Sequence, residues 1–77
     1  MKLNEKIALY LKENGIKQTW LADQVGMSIS TLNAILLGKQ RMTADTFELI
    51  CTKGIKVNPG IFFDNKFLDS KKTGTEN

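Results

Sequence analysis

Apolar positions recur along this chain at helical spacing, and glycines break them into short runs. Leu3, Ile7 and Leu11 stand at i, i+4 and i+8 with Tyr10 beside them, while Lys2, Glu5, Lys6, Lys12 and Glu13 fall outside the stripe. This predicts an amphipathic helix over about 3–13, stopped by Asn14-Gly15, two residues that tolerate the left-handed conformation. Ile16 then plugs the core as the chain turns. Leu21, Ala22 and Val25 share one face of a second helix, about 18–25. Leu32, Ile35 and Leu36 share one face of a third, from Ser28 or Ile29 to Leu37, ended by Gly38. Thr43 is suited to cap a fourth helix, with Asp45 in its first turn complementing the dipole. Phe47, Ile50 and Cys51 form the apolar stripe of that helix, and Gly54 is expected to close it. Asn58-Pro59 reads as the cap and first-turn proline of a short fifth helix holding Ile61, Phe62 and Phe63. From Lys66 the periodicity is lost and polar residues take over. Residues 1–65 are therefore read as the domain and 66–77 as a flexible polar tail. Phe67-Leu68 is an apolar pair within that tail, expected either to fold back on the domain or to meet a second subunit.

The expected architecture is all-α, a compact bundle of five short helices, and its organising stretch is Gln18 to Gly38. Gly26 can take a positive φ without a Cβ penalty, which suits the residue that ends one helix before a sharp turn. Ala22, four residues earlier, is small enough to let a second helix approach at an angle. Met27 fills the elbow, and the Ser28 hydroxyl is placed to cap the next helix. Apolar, small, apolar, glycine, apolar, then apolar again five and eight residues on is the pattern of a helix-turn-helix. With Leu32, Ile35 and Leu36 turned inward, the outward residues of the third helix are Ile29, Ser30, Asn33, Ala34 and Leu37. This is an uncharged, short-chained face that suits a major groove about 12 Å wide. Trp20 lies beside the inward stripe of the second helix. It is expected to pack against the base of the first helix, the other reading being a stack on a DNA sugar.

Composition narrows the class. The chain has 77 residues, 42% hydrophobic and 25% charged, values of an ordinary small globular domain. No apolar run approaches the length of a membrane span, and the N-terminal stretch is amphipathic, unlike a signal peptide. A single cysteine and no histidine point to the cytoplasm, to a small core residue at Cys51, and away from a metal site. There is no phosphate-binding glycine loop, no nucleophile beside an evident base, and no sign of a cofactor or small-molecule ligand, so an enzyme is the weakest reading. At this length a separate effector domain is not expected. Control would then come through concentration, dimerisation, competition at the binding site or a partner protein.

The net charge of +3 says little, but its distribution says more. Between Asp23 and Asp45 there is no acidic residue, Lys39 and Arg41 fall in that gap with Gln40 between them, and Lys17 precedes it. A non-acidic surface around the third helix suits a phosphate backbone; the bland alternative is that such gaps are common in a chain with 8 acids.

Gln18, Leu21-Ala22, the V-G-M-S elbow at 25–28, S-T-L-N at 30–33 and the I-L-x-G-K that follows resemble the phage repressor and Cro-like helix-turn-helix family of bacterial and phage regulators. The resemblance runs from about Leu3 to Phe63. It implies a lambda-repressor-like DNA-binding domain whose third helix enters the major groove, with homodimers on two-fold operators in double-stranded DNA. By that resemblance Gln18 donates to a phosphate at the start of the second helix. Ser28, Ile29, Ser30 and Asn33, with Thr31, Ala34 and Leu37 on the same helix, approach bases or adjacent phosphates. Lys39, Gln40 and Arg41 grip the backbone, with Lys17 near Gln18. Three features depart from the family. Ile29 and Ser30 stand where Arg or Gln is frequent, so Ile29 is left to meet a thymine methyl and Ser30 selects weakly. Leu36 and Leu37 stand where acidic or polar residues are common. The connection from Cys51 to Pro59 looks about one residue longer.

The resulting reading is a sequence-specific transcriptional regulator, a repressor in the simplest case. The rival is a protein-interaction module on the same fold, antitoxin-like or antirepressor-like, favoured by the apolar Ile29, Leu36 and Leu37 if these are exposed.

Overall fold

The first three helices all end in the same way, and that repetition sets the layout. In a computed structural model describing residues 1–63, the elements are α1 (Leu3–Glu13), α2 (Gln18–Val25), α3 (Ile29–Leu36), α4 (Ala44–Leu49) and α5 (Gly60–Phe63). A π-helical segment (Ile50–Ile55) continues α4 without a break. After α2, Gly26 sits at φ 71°, the Met27 amide donates to the Ala22 carbonyl (2.9 Å) and the Gly26 amide to Asp23 (3.3 Å). After α3, Gly38 at φ 82° carries the same pair of bonds, Lys39 to Ala34 (2.9 Å) and Gly38 to Ile35 (3.1 Å). Gly15 repeats them after α1, with Ile16 donating to Leu11 at 2.8 Å. Such a six-to-one bond over a left-handed residue satisfies carbonyls that a helix end leaves bare, and reverses the chain within two residues. Asn14 itself stays at φ −103°, so the left-handed residue after α1 is Gly15 alone.

The expected all-α bundle is present, and its apolar stripes meet as the spacing predicts. Ile7, Leu21, Leu32, Ile50, Cys51 and Phe62 are fully enclosed. Each aliphatic side chain of this kind contributes roughly 1.5–3 kcal/mol relative to exposure. Phe62 brings α5 back to α1 and α4: its ring stands edge-on to Tyr10 (5.7 Å) and Phe47 (6.1 Å). Burial pushes the Cys51 thiol up to about 11, because the thiolate would lose its hydration there.

Several expectations need correction. Gly54 does not close the fourth helix. It lies buried inside the π-helical segment, where a Cβ would run into the Leu21 side chain and crowd Val25 at 3.2 Å. The segment ends two residues later at Lys56, a non-glycine residue at φ 56°, with Val57 donating back to Cys51 (2.9 Å). The wider i→i+5 turn takes up about one residue more than an α turn, and it lies in the connection anticipated to be one residue longer. Lys6 is not on the outside either: it is half-buried, and its Nζ donates to the Phe62 carbonyl (2.8 Å), tying α1 to α5. Leu36 is 4% exposed and belongs to the core, so it lends nothing to an apolar outer surface. The expectations for the tail from residue 66, and for Phe67-Leu68, lie outside the described residues. No helix among the described residues is long and apolar enough to cross a membrane.

Candidate nucleic-acid interface

The anticipated reading helix is α3, and its start is fixed by local chemistry. Ser28 is extended (φ −69°, ψ 150°), and its Oγ accepts from the Thr31 amide (3.1 Å) while donating to Thr31 Oγ1 (2.9 Å). This cap satisfies one of the bare amides of α3. It also engages the Thr31 hydroxyl, and Thr31 is half-buried. Leu32, Ile35 and Leu36 anchor the inner face. The outer face is as the spacing requires: Ile29, Ser30, Asn33 and Leu37 are exposed, with Ala34 half-exposed. Ile29 keeps 43% and Leu37 60% of its surface accessible.

The far end of α3 is held by a residue the spacing alone did not single out. Asn4, on α1, donates from Nδ2 to the Leu36 carbonyl at 3.0 Å. A Cβ on Gly38 would come within 3.3 Å of that same Nδ2, so the loop after α3 is drawn close to α1. Asn4 falls three residues before Ile7 and seven before Leu11, on the buried side of α1. A polar residue set into an apolar stripe was the available signal, since a buried amide needs partners. The bond links one end of α3 directly to α1.

Positive groups gather at the C-terminal end of this helix without entering its outer face. Gln40 and Arg41 line a cleft of about 240 Å³ with Lys2, Asn4, Gly38 and Met42. Lys39 is exposed beside them. Lys2 is a cation in this cleft that no sequence pattern connected to the loop. At the other end of the motif, Lys17 precedes α2 in an extended conformation and offers no side-chain cap, and the first turn of α2 has no acidic residue. The amides at the start of α2 are therefore left with the partial positive charge of a helix N-terminus, with Gln18 as the first helical residue. Such an end accepts anions. Lys17 and Trp20 also line a shallow apolar groove with Gly15, Ile16 and Ile55. Trp20 remains 47% exposed there, less covered than the packing expectation implied.

The site residues thus fall into three groups: the cap and outer face of α3, the cationic loop 39–41, and the open N-terminus of α2. Across the end of α2, the elbow, α3 and the loop after it, from Gln24 to Ala44, the chain carries no acidic residue. An uncharged ridge flanked by cations and free amides is able to meet a groove bordered by phosphates.

Comparison with known proteins agrees with this geometry. A family model described as helix-turn-helix, of the Cro/C1 type, matches residues 7–53, from the middle of α1 into the π-helical segment. No curated protein and no solved structure matches the chain. The family is one of DNA-binding regulators, and the match takes in α2, the glycine elbow and α3 together. With more than half its length matched and the motif's turn and cap formed, the chain belongs to the Cro/C1-type helix-turn-helix family.

Proposed function

We propose that the protein is a sequence-specific transcriptional regulator, acting as a repressor, that inserts α3 into the major groove of a two-fold operator as a homodimer. The observation that carries this is the outer face of α3: exposed, uncharged, free of acids, and followed directly by the cations Lys39 and Arg41. Residues 1–65 are the DNA-binding domain in this reading, and the protein works in the cytoplasm. Gln18 and the α2 amides bind one phosphate, and Lys17, Lys39, Gln40 and Arg41 bind the flanking backbone. Ser28, Ile29, Ser30, Asn33 and Ala34 approach the bases, with Thr31 and Leu37 at the margins. The dimer follows from energetics. One module of this size buries roughly 600–1,000 Å² on DNA, and a good bidentate base contact adds about 1–3 kcal/mol. Asn33 is the one side chain on the face suited to such a contact, so selectivity needs two half-sites, about 34 Å apart. Phe63 on α5, 63% exposed and edge-on to Phe47, is an apolar surface fit for the dimer contact.

The test is selection from a randomised duplex pool at about 0.1–0.15 M salt, where nonspecific binding is weakened. An inverted repeat with centres one helical turn apart is the expected result. A pool that stays random at that salt overturns sequence-specific reading. Within the recovered operator, Asn33→Ala relaxes preference at one base pair per half-site. Arg41→Ala weakens all sequences alike and lowers the salt slope by about one. Identical effects of the two substitutions contradict the division between base reading and backbone grip.

The exposure of Ile29 and Leu37 favours one second reading, an apolar contact with a protein partner. Salt separates the two: DNA binding falls steeply with ionic strength, and an apolar protein contact hardly changes.

A further inference from the structure

The side chains on the outer face of α3 restrict which bases it is able to distinguish. Of the pairings that discriminate bases in the major groove, guanine is read by Arg or Lys and cytosine by Asp or Glu. None of these four residue types occurs between Ser28 and Gly38. The nearby cations Lys39 and Arg41 come after the Gly38 stop, off the helix, and Arg41 lines the cleft beside α1. What remains on the face is an amide, Asn33, which suits the N6/N7 edge of adenine, and apolar groups that suit the C5 methyl of thymine. Ser30 pairs with either kind of edge and discriminates little.

Position reinforces composition. Ile29, Asn33 and Leu37 stand at i, i+4 and i+8, so they form one ridge along the helix. Ile29 and Asn33 are separated by about 6 Å along the axis, close to two base-pair rises of about 3.4 Å. Leu37 caps the C-terminal end, beyond the residues with which a recognition helix approaches base edges. Ile29 opens α3 and is 43% exposed, enough to leave part of its side chain open to a ligand.

We infer that this face selects A·T base pairs, with Asn33 taking an adenine edge and Ile29 packing on the C5 methyl of a thymine about two base pairs away. The inference rests on the DNA-reading function proposed above and specifies its ligand: a half-site whose essential group at one position is a methyl.

The experiment replaces each thymine of the selected operator, one at a time, with deoxyuridine, which removes the methyl and leaves the pairing intact. At one thymine per half-site the wild-type protein loses roughly fourfold in affinity, the effect of one methyl-sized apolar contact. Ile29→Ala binds the thymine and uracil duplexes equally well. As an exposed surface residue it tolerates truncation, which circular dichroism and thermal unfolding verify. Indifference of the wild-type protein to uracil at every position overturns the inference. So does a uracil penalty that persists unchanged in Ile29→Ala, or a half-site without an adenine and a thymine about two base pairs apart. These results leave the DNA-binding function standing, because an operator has been recovered. Failure to recover any operator removes that function, and this inference with it.

Discussion

The elbow after α2 and the π-helical segment after α4 use glycine for opposite reasons. At the elbow between α2 and α3, Gly26 is exposed, sits at φ 71°, and has open space where a Cβ would be. It is needed for its backbone angle. In the π-helical segment Gly54 is buried with a negative-φ backbone, and the space a Cβ would take belongs to Leu21 and Val25. It is needed for its lack of a side chain, so that this segment lies directly on α2. The elbow is therefore written in local chemistry, a left-handed stop followed by a hydroxyl cap. The segment after α4 is decided by what it packs against.

Substitutions separate the two roles. The largest effect is expected from Gly54→Ala, which forces Leu21 out of a fully enclosed position and costs about 3 kcal/mol, the upper end for overpacking. Gly26→Ala, with room for its methyl, costs only the left-handed penalty of about 1–2 kcal/mol. Chemical denaturation of both variants measures the difference. Equal losses would mean that the two glycines do the same job. Next comes Asn4→Ala, which leaves the Leu36 carbonyl without its donor and is expected to cost about 1–2 kcal/mol. It also loosens the end of α3, so operator affinity falls while the salt slope keeps its wild-type value. A changed slope would mean that Asn4 itself meets phosphate. Smaller, and of opposite sign, is Lys56→Gly. Lys56 holds φ 56° without a glycine's freedom, so the substitution stabilises by about 0.5–1 kcal/mol in thermal unfolding.

One more effect, the titration of Cys51, is silent at neutral pH. Burial raises the Cys51 thiol from 9.0 to about 11 in the folded chain, so folded protein keeps a proton that unfolded protein releases. Stability is unaffected below pH 9 and declines as pH rises toward 11. The difference in denaturation midpoint between wild type and Cys51→Ala should therefore shrink over that window. A constant difference would show that the thiol is not shielded as its enclosure implies.

The same contrast explains what was legible in the residues. Spacing and caps located α1, α2 and α3 to within about a residue. Leu3–Ile7–Leu11, Gly26 and Ser28 each act on neighbours a few positions away, and their effects do not wait on the rest of the fold. Gly54 carried the same local signal as Gly15 or Gly38, and it misled, because its role is set by Leu21 more than thirty positions earlier. Lys6 and Asn4 failed to announce themselves for a related reason. Their partners, the carbonyls of Phe62 and Leu36, become available only once distant helices have docked. In the interface, the exposed face of α3 follows from its period. The sharing of one cleft by Lys2 and Arg41 follows from tertiary contact alone.

Nothing on the inner side of α3 is shared with its outer side. Leu32, Ile35 and Leu36 hold the helix in place, while Ile29, Ser30 and Asn33 carry no part of the core. Under mutation these two sets drift separately. On the function proposed above, a change at 29, 30 or 33 rewrites the address to which the protein goes without threatening its survival as a folded chain. A lineage built on this scaffold can acquire new targets one surface residue at a time, and a designer can treat those positions as a replaceable key on a fixed lock-plate.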